Sequence, residues 1–260
     1  MKLQFEKYQG TGNDFVMIDN RSKAFDTGKL PVSKICDRKF GIGADGLIVI
    51  EHHDTLDFNM IYFNSDGSQS FCGNGSRCAV AYAKSLGMIN SSTHFLSTDG
   101  EHYAEISDTG EVRLKMHDVH NVERRSNDFI LDTGSPHYII FEDDLENLDL
   151  VNRAREIRYN SEFKGEGINV NFIKPTSEIL EIRTYERGVE DETLSCGTGV
   201  TAAVLADFAS SGATGSLHKR TVKSQGGTLR VEFKKADNGF NDIYLIGPAK
   251  KTFQGVIELT

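Results

Sequence analysis

Short apolar runs, several of them alternating with polar residues, recur along the whole chain. Alternation with a period of two places one face of a strand in the core, and the segment around Leu229, Val231 and Phe233 follows this pattern. Runs of this length, rich in β-branched and aromatic side chains, therefore predict strands. The predicted strands cover residues 47–50, 59–63, 111–116, 138–141, 168–173, 179–185, 228–233 and 242–247.

Two longer segments carry the helical spacing instead, with apolar or small residues at every fourth position. The first runs from Asn74 to Leu86, and Gly87 is suited to its C-terminal cap. The second follows Cys196 and ends near Gly212. Both are rich in alanine and other small residues, which is typical of a helix surrounded by other elements. We therefore predict a strand-rich α+β protein with two core helices.

The two helical segments lie within longer stretches that follow one plan. Residues 62–83 and 184–206 each contain a strand end, a polar acidic loop, a Cys-Gly-x-Gly motif and a small-residue helix. The cysteines of the two motifs are 196 − 72 = 124 residues apart, close to half of the 260 residues. A duplication explains this match, so we expect two similar domains, residues 1–117 and 118–247.

Composition limits the class of protein. Hydrophobic residues make up 38% of the chain, enough for a real core, and the formal net charge of −9 argues against a nucleic-acid-binding surface. No stretch is apolar for long enough to span a bilayer, and the first residues lack the apolar core of a signal peptide. We therefore expect a cytoplasmic protein with no membrane partner, in which the four cysteines stay reduced.

Two familiar kinds of site fit the sequence poorly. Residues 41–46, GIGADG, match the glycine pattern of a dinucleotide site, but a strand follows them where that site needs a helix. Cys72 and Cys78 fall on different faces of a helix, and no histidine or cysteine pair has zinc spacing. We expect neither a nucleotide nor a metal, and we interpret Cys36 and Cys78 as small buried hydrophobic residues.

Cys72 and Cys196 remain as candidates for chemistry. A hydrolase with a cysteine nucleophile needs one thiol and a histidine, and the eight histidines leave that open without explaining a second, matching cysteine. A dithiol oxidoreductase usually carries its thiols in a Cys-x-x-Cys turn, which the chain lacks. A third hypothesis uses both thiols, each at a helix N-terminus that lowers the thiol pKa and helps to bind a carboxylate.

Such a pair of thiols is suited to inverting a stereocentre. One thiolate removes the α-proton of the bound carboxylate compound, and the opposite thiol delivers a proton to the other face. Because that α-proton is weakly acidic, backbone N–H groups and helix dipoles must stabilise the enediolate when no cofactor acts as an electron sink. The glycines of Cys-Gly-x-Gly let the backbone approach the ligand closely.

The motifs of the chain resemble those of one family, the diaminopimelate epimerases, in the family's order and over essentially the whole length. The matching segments are GTGNDFVMID, GIGADGLIVI, FNSDGSQSFCGNGSRC, SPH, GINVNF and YERGVEDETLSCGTG. The resemblance implies a cofactor-independent isomerase that interconverts LL- and meso-diaminopimelate, in the biosynthesis of lysine and peptidoglycan precursors.

The resemblance also implies a fold. It is an α+β fold of two pseudo-symmetric domains, each a curved, mostly antiparallel sheet wrapped around a central helix, with the active site in the interdomain cleft. The last strand, residues 248–260, would return to the first domain. Because the family often forms dimers, a homodimer is expected.

Site residues follow from the same resemblance, position by position. Cys72 and Cys196 match the two acid–base residues, and His137 and Glu186 match positions that tune or assist them. The carboxylate cradle matches Gly73, Asn74, Gly197 and Thr198. The other substrate-binding positions match Asn13, Asn64, Asn169, Glu186 and Arg187, with Arg187 holding the distal carboxylate in a charge-assisted pair.

Two positions depart from the family's pattern at the polar end of the substrate site. Gly46 stands where many members have glutamine, and Ser135 replaces the asparagine of an Asn-Pro-His triplet. The shorter Ser135 side chain would need a water to replace the lost amide. These departures leave room for a related two-cysteine racemase of another amino acid, such as histidine. A non-catalytic small-molecule or anion binder is the alternative from another class, and a redox protein with a Cys72–Cys196 disulfide is the third.

Overall fold

The computed structural model describes residues 2–212, 215 and 217–259. Within these residues the chain forms seventeen strands, four α-helices and one short 3-10 helix, Thr27–Lys29. The strands are β1 Lys2–Gly10, β2 Asn13–Asp19, β3 Gly46–Glu51, β4 Phe58–Asn64, β5 Ser92–Ser97, β6 Gly100–Ile106, β7 Glu111–Lys115, β8 Val122–Arg125, β9 Asp128–Asp132, β10 Pro136–Phe141, β11 Asn169–Pro175, β12 Ile179–Glu186, β13 Asp191–Thr193, β14 Leu217–Ser224, β15 Gly227–Ala236, β16 Gly239–Pro248 and β17 Lys250–Glu258. The helices are α1 Val32–Cys36, α2 Gly73–Ser85, α3 Leu150–Arg158 and α4 Gly197–Ser211.

The first of two compact units comprises Met1–Leu114 together with Gly247–Thr260. Its strand β1 pairs antiparallel with both β17 and β2, and β2 runs parallel to β3. From there β3 and β4 pair antiparallel, β4 and β5 parallel, and β5, β6 and β7 antiparallel in turn. Helix α2 packs against β1, β2, β3, β4, β6 and β17, so it lies at the centre of the unit.

The second unit, Lys115–Ile246, repeats that order of pairings. Strand β9 pairs antiparallel with β8 and β10, β10 is parallel to β11, and β11 is antiparallel to β12. Strand β12 is parallel to β14, and β14, β15 and β16 pair antiparallel. Helix α4 packs against β9, β10, β11, β12, β14 and β15. Since each step has its counterpart in the first unit, the predicted duplicated α+β fold is confirmed.

The central helices owe their position to small side chains. Ala79 and Ala83 in α2, and Ala202 and Ala203 in α4, are fully buried and let strands approach on several sides. Both helices end as the sequence predicts. Gly212 caps α4 in the left-handed region with φ 64°, a conformation that glycine adopts without steric cost.

Helix α3 was missed by the sequence analysis. It buries only Leu150 and Ala154 and exposes most of its other side chains, so its apolar stripe is narrow. Helix α1 is also short and covers only Val32–Cys36. No helix in the described part of the chain combines the length and the apolar character needed to cross a membrane.

Candidate active site

Each central helix begins immediately after a cysteine. Cys72 is the N-cap of α2 in an extended conformation, and its sulfur accepts a hydrogen bond from the Gly75 N–H at 3.4 Å. Cys196 is the N-cap of α4, also extended, and its sulfur lies 3.4 Å from the Thr198 hydroxyl oxygen. Both thiols therefore lie at the positive end of a helix dipole, where a thiolate or a bound carboxylate is stabilised.

Strands pack closely over the second glycine of each motif, more tightly at Gly199 than at Gly75. A Cβ on Gly75 would lie 3.2 Å from Ile48 Cδ1 and 3.5 Å from Phe15 Cε1. A Cβ on Gly199 would lie 2.6 Å from Asn171 Oδ1 and 3.2 Å from His137 Cε1. Corresponding strands thus cover corresponding glycines, with apolar side chains in the first unit and polar side chains in the second.

Polar side chains of the first unit connect Cys72 with Asn13 and Asn74. Asn13 Oδ1 lies 3.7 Å from the Cys72 sulfur and accepts from Asn74 Nδ2 at 3.4 Å. Asn13 Nδ2 in turn donates to an Asp45 carboxylate oxygen at 2.7 Å, which fixes the orientation of the amide. These three predicted site residues therefore lie together at the start of α2.

Asn64 ends β4 beside Gly46, its register partner on β3. Its amide oxygen accepts from the Tyr62 hydroxyl at 2.8 Å, and its amide nitrogen donates to Ser68 at 3.0 Å and Ser70 at 3.2 Å. A Cβ on Gly46 would lie 2.5 Å from Tyr62 Cε2. The Tyr62 ring therefore occupies the space beside position 46, and its hydroxyl supplies a polar group at this end of the site.

A chain of hydrogen bonds leads to Cys196 in the second unit. The Asn171 amide nitrogen lies 3.0 Å from His137 Nδ1, His137 Nε2 lies 2.9 Å from the Thr198 hydroxyl, and that hydroxyl lies 3.4 Å from the Cys196 sulfur. Asn171 Nδ2 also donates to the Tyr138 carbonyl at 3.2 Å, which identifies the nitrogen end of the amide.

That orientation determines the tautomer of His137. Because Asn171 donates to Nδ1, this nitrogen is unprotonated and the ring proton is on Nε2. Nε2–H then donates to the Thr198 oxygen, which leaves the Thr198 hydroxyl proton free to donate to the Cys196 sulfur. His137 is fully buried, and burial together with the positive charge of Arg187 lowers its pKa to about 3. The imidazole is therefore neutral near pH 7.

A second polar group in this unit surrounds Arg187. Asn169 accepts from the Arg187 backbone N–H at 2.9 Å and donates to the Ser135 hydroxyl at 2.9 Å. The Arg187 guanidinium lies 3.3 Å from that hydroxyl and 2.9 Å from the Glu166 carbonyl. The Ser135 hydroxyl therefore contacts both Asn169 and Arg187 directly. Glu186, at the end of β12, accepts from the Thr193 hydroxyl at 2.9 Å.

The cradle glycines Gly73 and Gly197 form the first residues of α2 and α4, and both are buried. Asn171 and Tyr62 contact the candidate residues His137 and Asn64, and the sequence analysis did not single them out. The alternation in residues 168–173 places Asn169 and Asn171 on one face of a buried strand, and this pair of amides was the available signal. Cys36 and Cys78 are buried as predicted, and burial raises the pKa of both thiols.

Two solved structures share the fold of this chain. The chain matches a phenazine biosynthesis protein of the PhzF family from Bacillus anthracis with a TM-score of 0.78 at 12% identity, covering 100% of both chains. It matches a probable proline racemase from Agrobacterium radiobacter K84 with a TM-score of 0.71 at 14% identity, covering 99% of this chain and 93% of the other. At such identities the likeness establishes the fold alone.

Sequence comparison then gives the family. The family model for diaminopimelate epimerase matches residues 5–122 and 129–252. The diaminopimelate epimerase of Flavobacterium psychrophilum is 48% identical over 258 residues, covering 98% of this chain and 100% of the relative. That of Chlorobaculum tepidum is 42% identical over 259 residues, covering 96% and 99%. The chain belongs to the diaminopimelate epimerase family.

The packing around Gly46 predicts a stability effect. In Gly46→Ala the new Cβ would meet Tyr62 at 2.5 Å and the Phe63 carbonyl oxygen at 2.7 Å, so the neighbours must shift. We expect the free energy of unfolding, measured by urea denaturation, to fall by about 1–3 kcal/mol. Gly165→Ala is the matched control, because no heavy atom lies within 4 Å of its added Cβ. Equal stability of the two variants would contradict this description of the Gly46 site.

Burial of neutral His137 predicts a pH dependence of stability. The folded pKa of about 3 lies below the ordinary value of 6.5, so the unfolded chain takes up a proton first. The stabilisation is complete above pH 6.5 and is lost as the pH falls towards 3. Between pH 6.5 and 3, the free energy of unfolding of the unmodified chain should fall by up to about 1.4 kcal/mol per pH unit more than that of His137→Gln. The measurement is urea denaturation at each pH. The exposed His52→Gln should keep the original slope, and a native slope equal to that of His137→Gln would show that His137 is not held neutral.

Proposed function

We propose that this chain interconverts LL- and meso-diaminopimelate without a cofactor, using Cys72 and Cys196 as the two acid–base residues. The observation that carries the proposal is the position of the two cysteines, each the N-cap of the central helix in one half of a duplicated fold. Membership of the diaminopimelate epimerase family supports the substrate.

Removal of the α-proton depends on the helix N-termini. Their first N–H groups have no acceptor within the helix and carry partial positive charge, so they stabilise a substrate carboxylate and the enediolate formed from it. The cradle residues Gly73, Asn74, Gly197 and Thr198 supply these groups in the first turns of α2 and α4. One thiolate accepts the α-proton, and the other thiol donates a proton to the opposite face of the carbon.

Neutral His137 assists at Cys196 without accepting the substrate proton. Its Nε2–H holds the Thr198 oxygen, so the Thr198 hydroxyl proton is directed to the sulfur. That hydrogen bond stabilises the thiolate that Cys196 becomes after it has donated its proton. Glu186, at the end of β12, is the second assisting residue in this proposal.

The distal end of the substrate is assigned to Arg187 with Asn13, Asn64 and Asn169. Arg187 supplies a guanidinium for the distal carboxylate, and Ser135 and Asn169 orient it through the contacts described above. At Gly46 the Tyr62 hydroxyl takes the place of a longer polar side chain. Recognition of diaminopimelate rather than another amino acid depends on these groups.

We also propose that the enzyme works in the cytoplasm as a homodimer. The proton transfers need both thiols reduced, and the structure has Cys72 and Cys196 as free cysteines, which fits a reducing compartment. The homodimer rests on the resemblance to the family.

Solvent exchange tests the reaction and its substrate. Incubation of the chain with LL-diaminopimelate in D₂O should give the meso product with deuterium at one α-carbon, measured by NMR and mass spectrometry. Histidine, lysine and proline form the comparison panel. Binding of diaminopimelate without exchange would overturn the proposal, and turnover of histidine in its place would identify the related racemase.

Removal of either thiol tests the two-base mechanism. Cys72→Ala and Cys196→Ala should each lower epimerisation by about 10²–10⁴-fold, because each removes one proton carrier while the other half stays intact. The measurement is the initial rate with LL-diaminopimelate. Cys36→Ala is the matched control, since it removes a buried thiol that makes no part of the proposed site. A rate in either catalytic variant close to that of the control would contradict the mechanism.

A further inference from the structure

Arg77 is a fully buried cation in the first half of α2, one turn beyond Cys72. Its guanidinium donates to Asn74 Oδ1 at 2.9 Å, to the Thr11 hydroxyl at 3.3 Å and to the Gly73 carbonyl at 3.4 Å. The Nε atom is buried without a hydrogen-bond partner. All three partners are uncharged, and among the described residues no carboxylate forms an ion pair with Arg77.

A buried charge of this kind needs a counter-charge, because desolvation without compensation is costly. Burial lowers the pKa of Arg77 to about 10, so the group is still protonated near pH 7. The titratable groups that interact with it electrostatically are the thiols of Cys78 and Cys72. Cys78 is fully buried, and burial raises its pKa well above the ordinary range, so it stays a neutral thiol. Cys72, half-buried at the helix N-terminus, is the group that can supply negative charge.

Several titratable groups on the strands packed against α2 form contacts with other partners. Among them are Lys7 with Asp14, Tyr8 with Ser85, Tyr62 with Asn64, His102 with Asp99, and Lys251 with Glu6. Gly10, at the end of β1, packs against the Arg77 side chain, because a Cβ on Gly10 would lie 3.3 Å from the guanidinium. Cys72 is therefore the neighbouring group whose negative charge can compensate the positive charge of Arg77.

The second unit has no such cation at the equivalent position. Five residues after Cys196 stands Thr201, whose hydroxyl donates to the Gly197 carbonyl at 3.0 Å. The buried ring beside Cys196 is neutral His137. A full positive charge stabilises a thiolate more than one hydroxyl hydrogen bond does. The thiol pKa is therefore expected to be lower at Cys72 than at Cys196.

We propose that Arg77 is a positioning residue which holds the Asn74 amide of the cradle and makes Cys72, rather than Cys196, the thiolate of the substrate-free enzyme. The inference deepens the proposed two-thiol function and rests on it for its catalytic meaning. The charge distribution itself is a property of the first unit and can be measured without substrate.

The direct test is the pH dependence of iodoacetamide alkylation of the intact chain, followed at each cysteine by peptide mass spectrometry. In the unmodified chain the alkylation midpoint of Cys72 should lie below that of Cys196. Equal midpoints, or the reverse order, would overturn the inference. This comparison needs no variant, so it does not depend on how a substitution folds.

Substitution of Arg77 tests the cause. Arg77→Met removes the charge, so the Cys72 midpoint should rise by about one pH unit or more, while the Cys196 midpoint stays unchanged. Arg77→Lys keeps a positive charge and should shift the Cys72 midpoint less than Arg77→Met does. Arg21→Met is the matched control, because it removes a cation of the same unit that pairs with Asp19. An Arg77→Met midpoint equal to that of the control would contradict the inference.

Turnover separates this inference from the proposed function. If the chain epimerises diaminopimelate, Arg77→Met should move the acidic limb of the kcat/KM profile to higher pH, whereas Arg21→Met should not. If the chain epimerises diaminopimelate but Arg77→Met changes neither the acidic limb of the profile nor the Cys72 midpoint, the role of Arg77 is refuted. The proposed two-thiol reaction is not affected by that result. Shifted midpoints in a chain that does not epimerise refute the reaction and leave the thiolate assignment standing.

Discussion

The N-terminus of a buried helix imposes the constraint on which both halves of the protein depend. Its first N–H groups have no acceptor within the helix, so they must find one elsewhere. Strands pack around α2 and α4 from several sides, and the cysteine at each N-cap is the polar group placed where those donors begin. The second glycine of each motif lets the covering strands come within contact distance of that turn. One packing arrangement therefore places both the thiol and the unpaired N–H groups that the proposed function uses.

Duplication supplies that arrangement twice, but the two copies differ in polarity. Phe15 and Ile48 cover the glycine of the first motif, where His137 and Asn171 cover that of the second. The cation, in contrast, is buried beneath the first motif and has no equivalent beneath the second. A two-base inversion starts with one thiolate and one thiol. Two independent thiols of equal pKa would reach that mixed state in about half of the molecules at most, whereas separated pKa values make it dominant over a range of pH. In the proposed mechanism, asymmetry between the copies would therefore increase the fraction of molecules with one thiolate and one thiol.

The sequence was most informative where one local pattern determined the structure. The four-residue spacing predicted α2 and α4, with Gly87 and Gly212 at their ends, and period-two runs predicted the buried strands. Strand β17 was expected only from the resemblance to the family, because most of its side chains are exposed and it carries no clear alternation. Helix α3 was missed because it buries only Leu150 and Ala154, so its sequence shows little apolar periodicity. In both cases tertiary pairing, rather than local pattern, determines the element.

The candidate site residues also differ in whether a local pattern or distant contacts reveal them. Cys72 and Cys196 were found by the repeated motif, which is local, whereas Asn171 and Arg77 act through contacts with distant parts of the chain. Arg77 in particular carries a charge that predicts an exposed position, and only the packing of β1 against α2 reveals that it is buried.

The two departures from the family's pattern, Gly46 in the first unit and Ser135 in the second, are explained by their neighbours. Gly46 is small because the Tyr62 ring lies against its backbone, and the hydroxyl of that ring binds Asn64. Ser135 is short, yet its hydroxyl contacts both Asn169 and Arg187, so the guanidinium is still oriented. A polar group is present at each position where the family's usual amide is missing. If the proposed function holds, recognition of the distal groups of the substrate depends on whether the Tyr62 phenol and the Ser135 hydroxyl can bind them, which is a question about the positions of hydrogen-bond donors and acceptors rather than about the thiols.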